Sequence, residues 1–148
     1  MYLKFISLII VSFTFIIVSC IRTVDISGVY KGEIILEEDE IDKVEIILNQ
    51  IGKNISGSLT FEGIETSHIK SGIIEGNSVT FIVTNKWMDE NFMERVMELK
   101  FEGNIKRGKL EGNLELIIRG YRIIGDVWDL STIPFSETAT GTLAALRQ

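Results

Sequence analysis

Residues 97–116 read MELKFEGNIKRGKLEGNLEL. Met97, Leu99, Phe101 and Ile105 alternate with Glu98, Lys100, Glu102 and Asn104. After Lys106-Arg107-Gly108, Leu110, Gly112, Leu114 and Leu116 alternate with Lys109, Glu111, Asn113 and Glu115. A period of two puts every apolar side chain on one face of a strand and every charged one on the other. The break at Arg107-Gly108 supplies residues that tolerate positive φ, so the stretch is a hairpin with one dry and one wet face.

The same pattern extends outward in both directions. Val44, Ile46, Leu48 and Gln50 alternate with Glu45, Ile47, Asn49 and Ile51; Ile55, Gly57, Leu59 and Phe61 with Ser56, Ser58 and Thr60; Val79, Phe81 and Val83 with Thr80, Ile82 and Thr84. Turn signals at Gly52-Lys53-Asn54 and Glu75-Gly76-Asn77 separate these runs. The strands expected are Ile26–Glu37, Asp42–Ile51, Ile55–Phe61, His68–Glu75, Ser78–Trp87, Met93–Ile105, Lys109–Arg119 and Thr138–Leu146. Short connections make consecutive strands antiparallel neighbours. Two connections are less regular. Met88, Phe92, Val96 and Leu99 fall at helical spacing, which allows a helical turn after Trp87. Gly120 to Glu137 is long and apolar, and reads as a packed lid or an extra strand.

A pattern apolar-x-Gly-x-apolar recurs around Gly32, Gly57, Gly103 and Gly112, with each glycine on the apolar face. Glycine inside a strand marks a bend or a close backbone approach, and a sheet that closes on itself needs such bends. The spacing is too uneven for a solenoid. The fold class expected is therefore all-β: an eight-stranded antiparallel up-and-down barrel over residues 26–148, with an open sandwich as the alternative.

The N-terminus has a different character. Phe5 to Ser19 holds fifteen residues without charge, Gly or Pro, preceded by Lys4. That is short for a membrane-spanning helix and the right length for a signal-peptide core. Ile17-Val18-Ser19-Cys20 resembles the bacterial lipobox. The resemblance implies cleavage after residue 19, a lipid on the Cys20 thiol and a short tether over 20–25. Burying acyl chains contributes about 0.8 kcal/mol per CH₂, and two or more chains hold a protein on a membrane stably. Ile21 follows the cysteine, not the Asp that retains some lipoproteins in an inner membrane. The location implied is the bacterial cell envelope, outside the cytoplasm, with an outer membrane open to it.

The barrel also resembles a family. Eight up-and-down strands in this length match the smallest calycins, the avidin- and lipocalin-like barrels. Calycins commonly open the first strand with Gly-x-Trp and carry an Arg late in the last strand that packs on that Trp. Gly28-Val29-Tyr30 and Arg147 occupy those places, with Tyr for Trp. Gly141-Thr142-Leu143-Ala144-Ala145-Leu146-Arg147 is similar to the last strand of small bacterial lipocalin-like domains. The resemblance implies barrel closure by Gly28, Tyr30 and Arg147. The biotin-site residues of avidins cannot be placed on this sequence.

Composition excludes much chemistry. The chain has 148 residues, one His, one Cys and a net charge of −6. One domain fits that length. A Cys/His zinc site needs about four ligands, and a lone Cys forms no intramolecular disulfide. No metal or cofactor is expected, and the acidic balance argues against nucleic acid as a partner. His68 has no nucleophile elbow near it, so no catalytic residue is assigned and an enzyme is not expected. Glu37-Glu38-Asp39-Glu40 with Asp42 lacks the spacing of a calcium loop and reads as a solvated hairpin. Trp87, Trp128, Tyr121 and Tyr30 are the aromatic residues with polar tips that could line a ligand pocket. Two functions remain. One is a barrel holding a small apolar ligand. The other is a filled barrel whose outer face, including Ile35, Ile47, Ile82 and Ile117, meets another envelope protein in the manner of an inhibitor. A lined cavity of about 300 Å³ or more favours the first.

Overall fold

The computed structural model describes residues 24–36, 41–62, 65–89, 93–124 and 131–148, with the backbone alone over 122–124 and 131–133. The expected leader 1–19, Cys20, most of the acidic run and Trp128 lie outside the described residues.

Eight strands form a closed barrel in chain order: β1 Gly28–Leu36, β2 Ile41–Ile51, β3 Asn54–Phe61, β4 Ser67–Glu75, β5 Ser78–Met88, β6 Glu94–Lys106, β7 Lys109–Ile124 and β8 Ser131–Arg147. Every neighbouring pair is antiparallel, and β8 returns to β1 through Gly32↔Ala145 and Ile34↔Leu143. The hairpin read from residues 97–116 forms as a β6–β7 pair with Phe101 opposite Leu114 and Gly103 opposite Gly112. Its turn has positive φ at both Arg107 (53°) and Gly108 (76°), the geometry that matches the twist of a two-residue hairpin.

The inward residues make one core. Tyr30, Ile46, Leu48, Leu59, Val79, Phe81, Phe101 and Leu110 are all buried to within 1%. Phe81 and Phe101 stack with centroids 4.8 Å apart. Glycine makes this curvature possible where strands come closest. A Cβ on Gly103 would fall onto the Glu111 carbonyl oxygen, and one on Gly112 onto that of Glu102. Gly32 and Gly57 are equally tight, against Ala144 and Ile47 backbone oxygens.

Two connections differ from expectation. Gly120 to Glu137 holds neither a lid nor an extra strand in its described part: β7 continues to Ile124 and β8 begins at Ser131. The alternation Leu110, Gly112, Leu114, Leu116, Ile118, Gly120 runs on past Arg119, so the strand has no reason to stop there. No helical turn occupies the described residues after Trp87, because β5 runs to Met88 and β6 starts at Glu94. These extensions give the barrel a sloped rim. Among the described residues β1 pairs with β8 as far as Gly141, whereas β7 pairs with it to Ser131. β5 to β8 thus form a tall wall, and β1 to β4 a short one.

Candidate functional site

The two ends of the barrel are chemically different. At one end the segment before β1 folds across the opening. Ile26 is fully buried; its N–H donates to Gln50 Oε1 (2.9 Å) and its carbonyl accepts from the Tyr30 hydroxyl (2.7 Å). The Ser27 hydroxyl accepts from the Gln50 N–H at 3.1 Å. Arg147 donates to the Ser27 carbonyl and, at 3.4 Å, to the Asp25 carbonyl. A Cβ on Gly28 would lie 2.7 Å from Arg147 Nε. Gly28, Tyr30 and Arg147 therefore sit together at this end, where Ile26 and Tyr30 are buried and Arg147 is exposed. Hydrogen bonds from Ser27 to the Asp25 carboxylate, helped by Arg147, hold its pKa below the ordinary value. Burial raises that of Tyr30.

At the opposite end the described residues frame a second space. It is a cavity of about 530 Å³, within the range of small-ligand pockets. Ile34, Phe61, Leu99 and Leu114 form its floor. Trp87, Met97, Leu116 and Ile118 line it from the tall wall, and Leu36 from the short one. Asp42, Glu65 and Asn85 supply the polar part of the lining. Trp87 is 38% exposed, so its ring is accessible from solvent.

A clamp stands beside Trp87. Arg95, its register partner on β6, donates from Nε to Asp89 Oδ2 at 2.9 Å. The guanidinium passes over Gly120, where a Cβ would lie 2.8 Å from Arg95 Cδ, and stacks on Phe135 at 4.5 Å from the ring centroid. Asp89 Oδ1 accepts from the Met93 N–H at 2.9 Å. The side chains of Arg95 and Asp89 are only 17% and 16% exposed. The pair ties the β5–β6 connection to the β7–β8 hairpin.

Of the four aromatic residues singled out in the sequence, Trp87 alone lines the mouth cavity among the described residues. Tyr30 lies at the sealed end, bordering a pocket of about 190 Å³. Tyr121 points outward, 52% exposed, into a groove with Val96, Arg119 and Pro134. Trp128 lies outside the described residues. His68 is exposed on β4. On the outer face Ile35 and Ile47 are 42% and 38% exposed, Ile82 is half-buried, and Ile117 is buried at 7%. A larger groove of about 810 Å³ crosses the outside of β1, β2 and β8, bordered by the Lys31–Glu45 ion pair. It is an open surface, whereas the mouth is walled by strands. Sequence reasoning did not find Asp42 and Glu65 as lining residues or the Arg95–Asp89 clamp. The alternation continuing through Gly120 was the available signal for the clamp.

No family model matches the chain, and no curated protein matches it. A solved structure, the bradavidin2–biotin complex, aligns over 75% of this chain and 94% of that one, with 12% identity and a TM-score of 0.36.

Proposed function

We propose that this protein is a lipid-anchored binding barrel of the bacterial cell envelope that takes a small, mainly apolar ligand at its mouth. Residues 1–19 are the leader, Cys20 carries the lipid, and the barrel stands on a short tether. The observation that supports binding is the cavity of about 530 Å³, lined by Trp87, Met97, Leu116 and other apolar side chains at one end of a barrel sealed at the other. A filled barrel acting only through its outer face has no use for that space.

The binding test is fluorescence of residues 20–148 carrying Cys20→Ser and Trp128→Phe, which leaves Trp87 as the reporter. Saturable change with medium-chain aliphatic ligands is expected. Absence of response across chain lengths would return the protein to the filled, protein-contacting alternative. For anchoring, labelled palmitate should enter the wild-type chain in bacterial cells and not Cys20→Ser. Equal labelling of both would rule out Cys20 as the attachment point.

A further inference from the structure

The end of the barrel that Ile26 covers is also the end from which the chain runs back toward Cys20. The segments that form it all lie among the described residues: 24–27, the turns after β2, β4 and β6, and the last residues of β8. Lys53, Lys106, Arg107, Lys109 and Arg147 stand exposed there. The acids among them are engaged. Glu75 pairs with Lys53 at 3.4 Å and Glu111 with Lys109, while Asp25 accepts from the Ser27 N–H at 2.9 Å and feels the charge of Arg147. The side chains of Lys106 and Arg107 have no ion pair among the described residues.

These two cations stand where the tether arrives. Lys106, Arg107 and Arg147 border the same cleft of about 190 Å³ as Val24 and Asp25. Cys20 precedes Val24 by four residues, a reach of at most about 14 Å. Arg107 also keeps its place at a conformational cost. Its φ is 53°, in a turn that favours Asn and Gly, so the turn alone does not account for a long cation at its tip. Exposed apolar side chains share this end: Ile51, before the turn after β2, is 80% exposed, and Val24 is 44% exposed.

We propose that this end docks on an anionic bilayer surface, with Lys106 and Arg107 on lipid phosphates, Ile51 and Val24 at the headgroup boundary, and the mouth turned away from the membrane. The inference rests on the membrane anchor at residue 20 proposed above. The net charge of −6 does not oppose it. Salt confines the field of the surface to about 8 Å at physiological ionic strength. Asp42 and Glu65 stand beyond the far end of β3, whose eight residues run for about 26 Å. The bilayer therefore meets the near cations and not the sum of the charges. Each Lys or Arg held near such a surface strengthens the attraction about fivefold.

The test uses the full chain in nanodiscs of phosphatidylcholine, and in discs where phosphatidylglycerol replaces a third of the lipid. Amide hydrogen exchange is followed in the chain that co-elutes with the discs. With two free cations at the surface, residues 52–54, 76–77 and 106–108 should exchange at least about threefold more slowly on anionic discs than on neutral ones. Residues 84–88, at the other end, should exchange equally on both. High salt should abolish the difference. Lys106→Gln/Arg107→Asn should abolish it too, and its urea midpoint should hold because Asn suits the positive φ. Lys43→Gln/Lys86→Gln removes the same charge from the other end and should leave the protection intact. Equal exchange on both discs, protection of 84–88 in place of the turns, or protection that survives in Lys106→Gln/Arg107→Asn overturns the docking and leaves the anchor standing. A chain that elutes free of both kinds of disc overturns the anchor and the docking with it.

Discussion

At the residue scale, the sealed end depends on a few atoms. The Tyr30 hydroxyl is the donor to the buried Ile26 carbonyl. Tyr30→Phe leaves that carbonyl unpaired, and an unsatisfied buried group costs about 1–3 kcal/mol. Urea unfolding at pH 8 should show that loss. The same residue sets a pH dependence. Burial raises the Tyr30 pKa above its ordinary value of 10.0, so the folded protein holds the phenol proton more tightly than the unfolded chain. Its contribution to stability is complete below about pH 10 and is lost as pH rises from there through the folded pKa. Unfolding midpoints measured from pH 8 upward should fall above about pH 10, less steeply in Tyr30→Phe. An identical slope in both proteins would mean that other groups cause the loss. Gly103 makes a third residue-scale case. Gly103→Ala drives a methyl into the Glu111 carbonyl, and overpacking of this kind costs about 1–3 kcal/mol. Thr80→Ala, on the exposed face of β5, should stay within about 0.5 kcal/mol in the same assay.

At the scale of elements, the tall wall is where sequence and structure part. Strands with one wet and one dry face announce themselves, which is why Met97–Leu116 was legible as a hairpin and residues 44–50 as its distant partner. Above the rim the logic changes. Ile117 is buried on the outer face although Leu116 and Ile118 line the cavity, so three apolar residues run together and the alternation blurs. Trp87 was legible as a candidate because a polar-tipped aromatic ended a strand. Tyr30 has the same chemistry, but its role follows from which end the preceding segment covers, a relation between distant parts of the chain that no local pattern carries. Asp42 and Glu65 were hidden for a similar reason: each is an ordinary loop-edge acid until the barrel closes and puts both on one mouth. The clamp gives the tall wall its rigidity. Arg95→Ala removes the bond to Asp89 and the stack on Phe135, and about 1–3 kcal/mol should be lost from a pair this well covered. Arg95→Lys should not restore it, since an ammonium lacks the planar fork and the stacking face. Amide hydrogen exchange should speed up at 93–97 and 118–121 before it does in β2 and β3, because a loosened wall opens locally. Uniform acceleration across the barrel would show instead that the clamp supports the global fold.

At the scale of the whole molecule, the barrel separates support from space. Phe81, Phe101, Tyr30 and their neighbours fill the sealed half, and a protein interior packed to that density tolerates no added volume. The mouth half leaves about 530 Å³ unfilled. This division makes stability and binding separable by mutation in a way that a uniformly packed barrel would forbid. Phe101→Ala should cost about 3–5 kcal/mol, the usual loss for a large aromatic removed from a core, and should leave decyl-chain affinity within about threefold in the fraction that remains folded. Leu116→Trp should do the reverse. Leu116 lines the cavity and is only half-buried, so the larger ring can grow into open space without displacing packed neighbours. Its urea midpoint should stay close to wild type, while binding of every decyl ligand, whatever its head group, falls by at least about tenfold. If Leu116→Trp destabilises the protein as much as an overpacked core does, or if it binds decyl chains as well as wild type, then the space at the mouth is not the ligand's place.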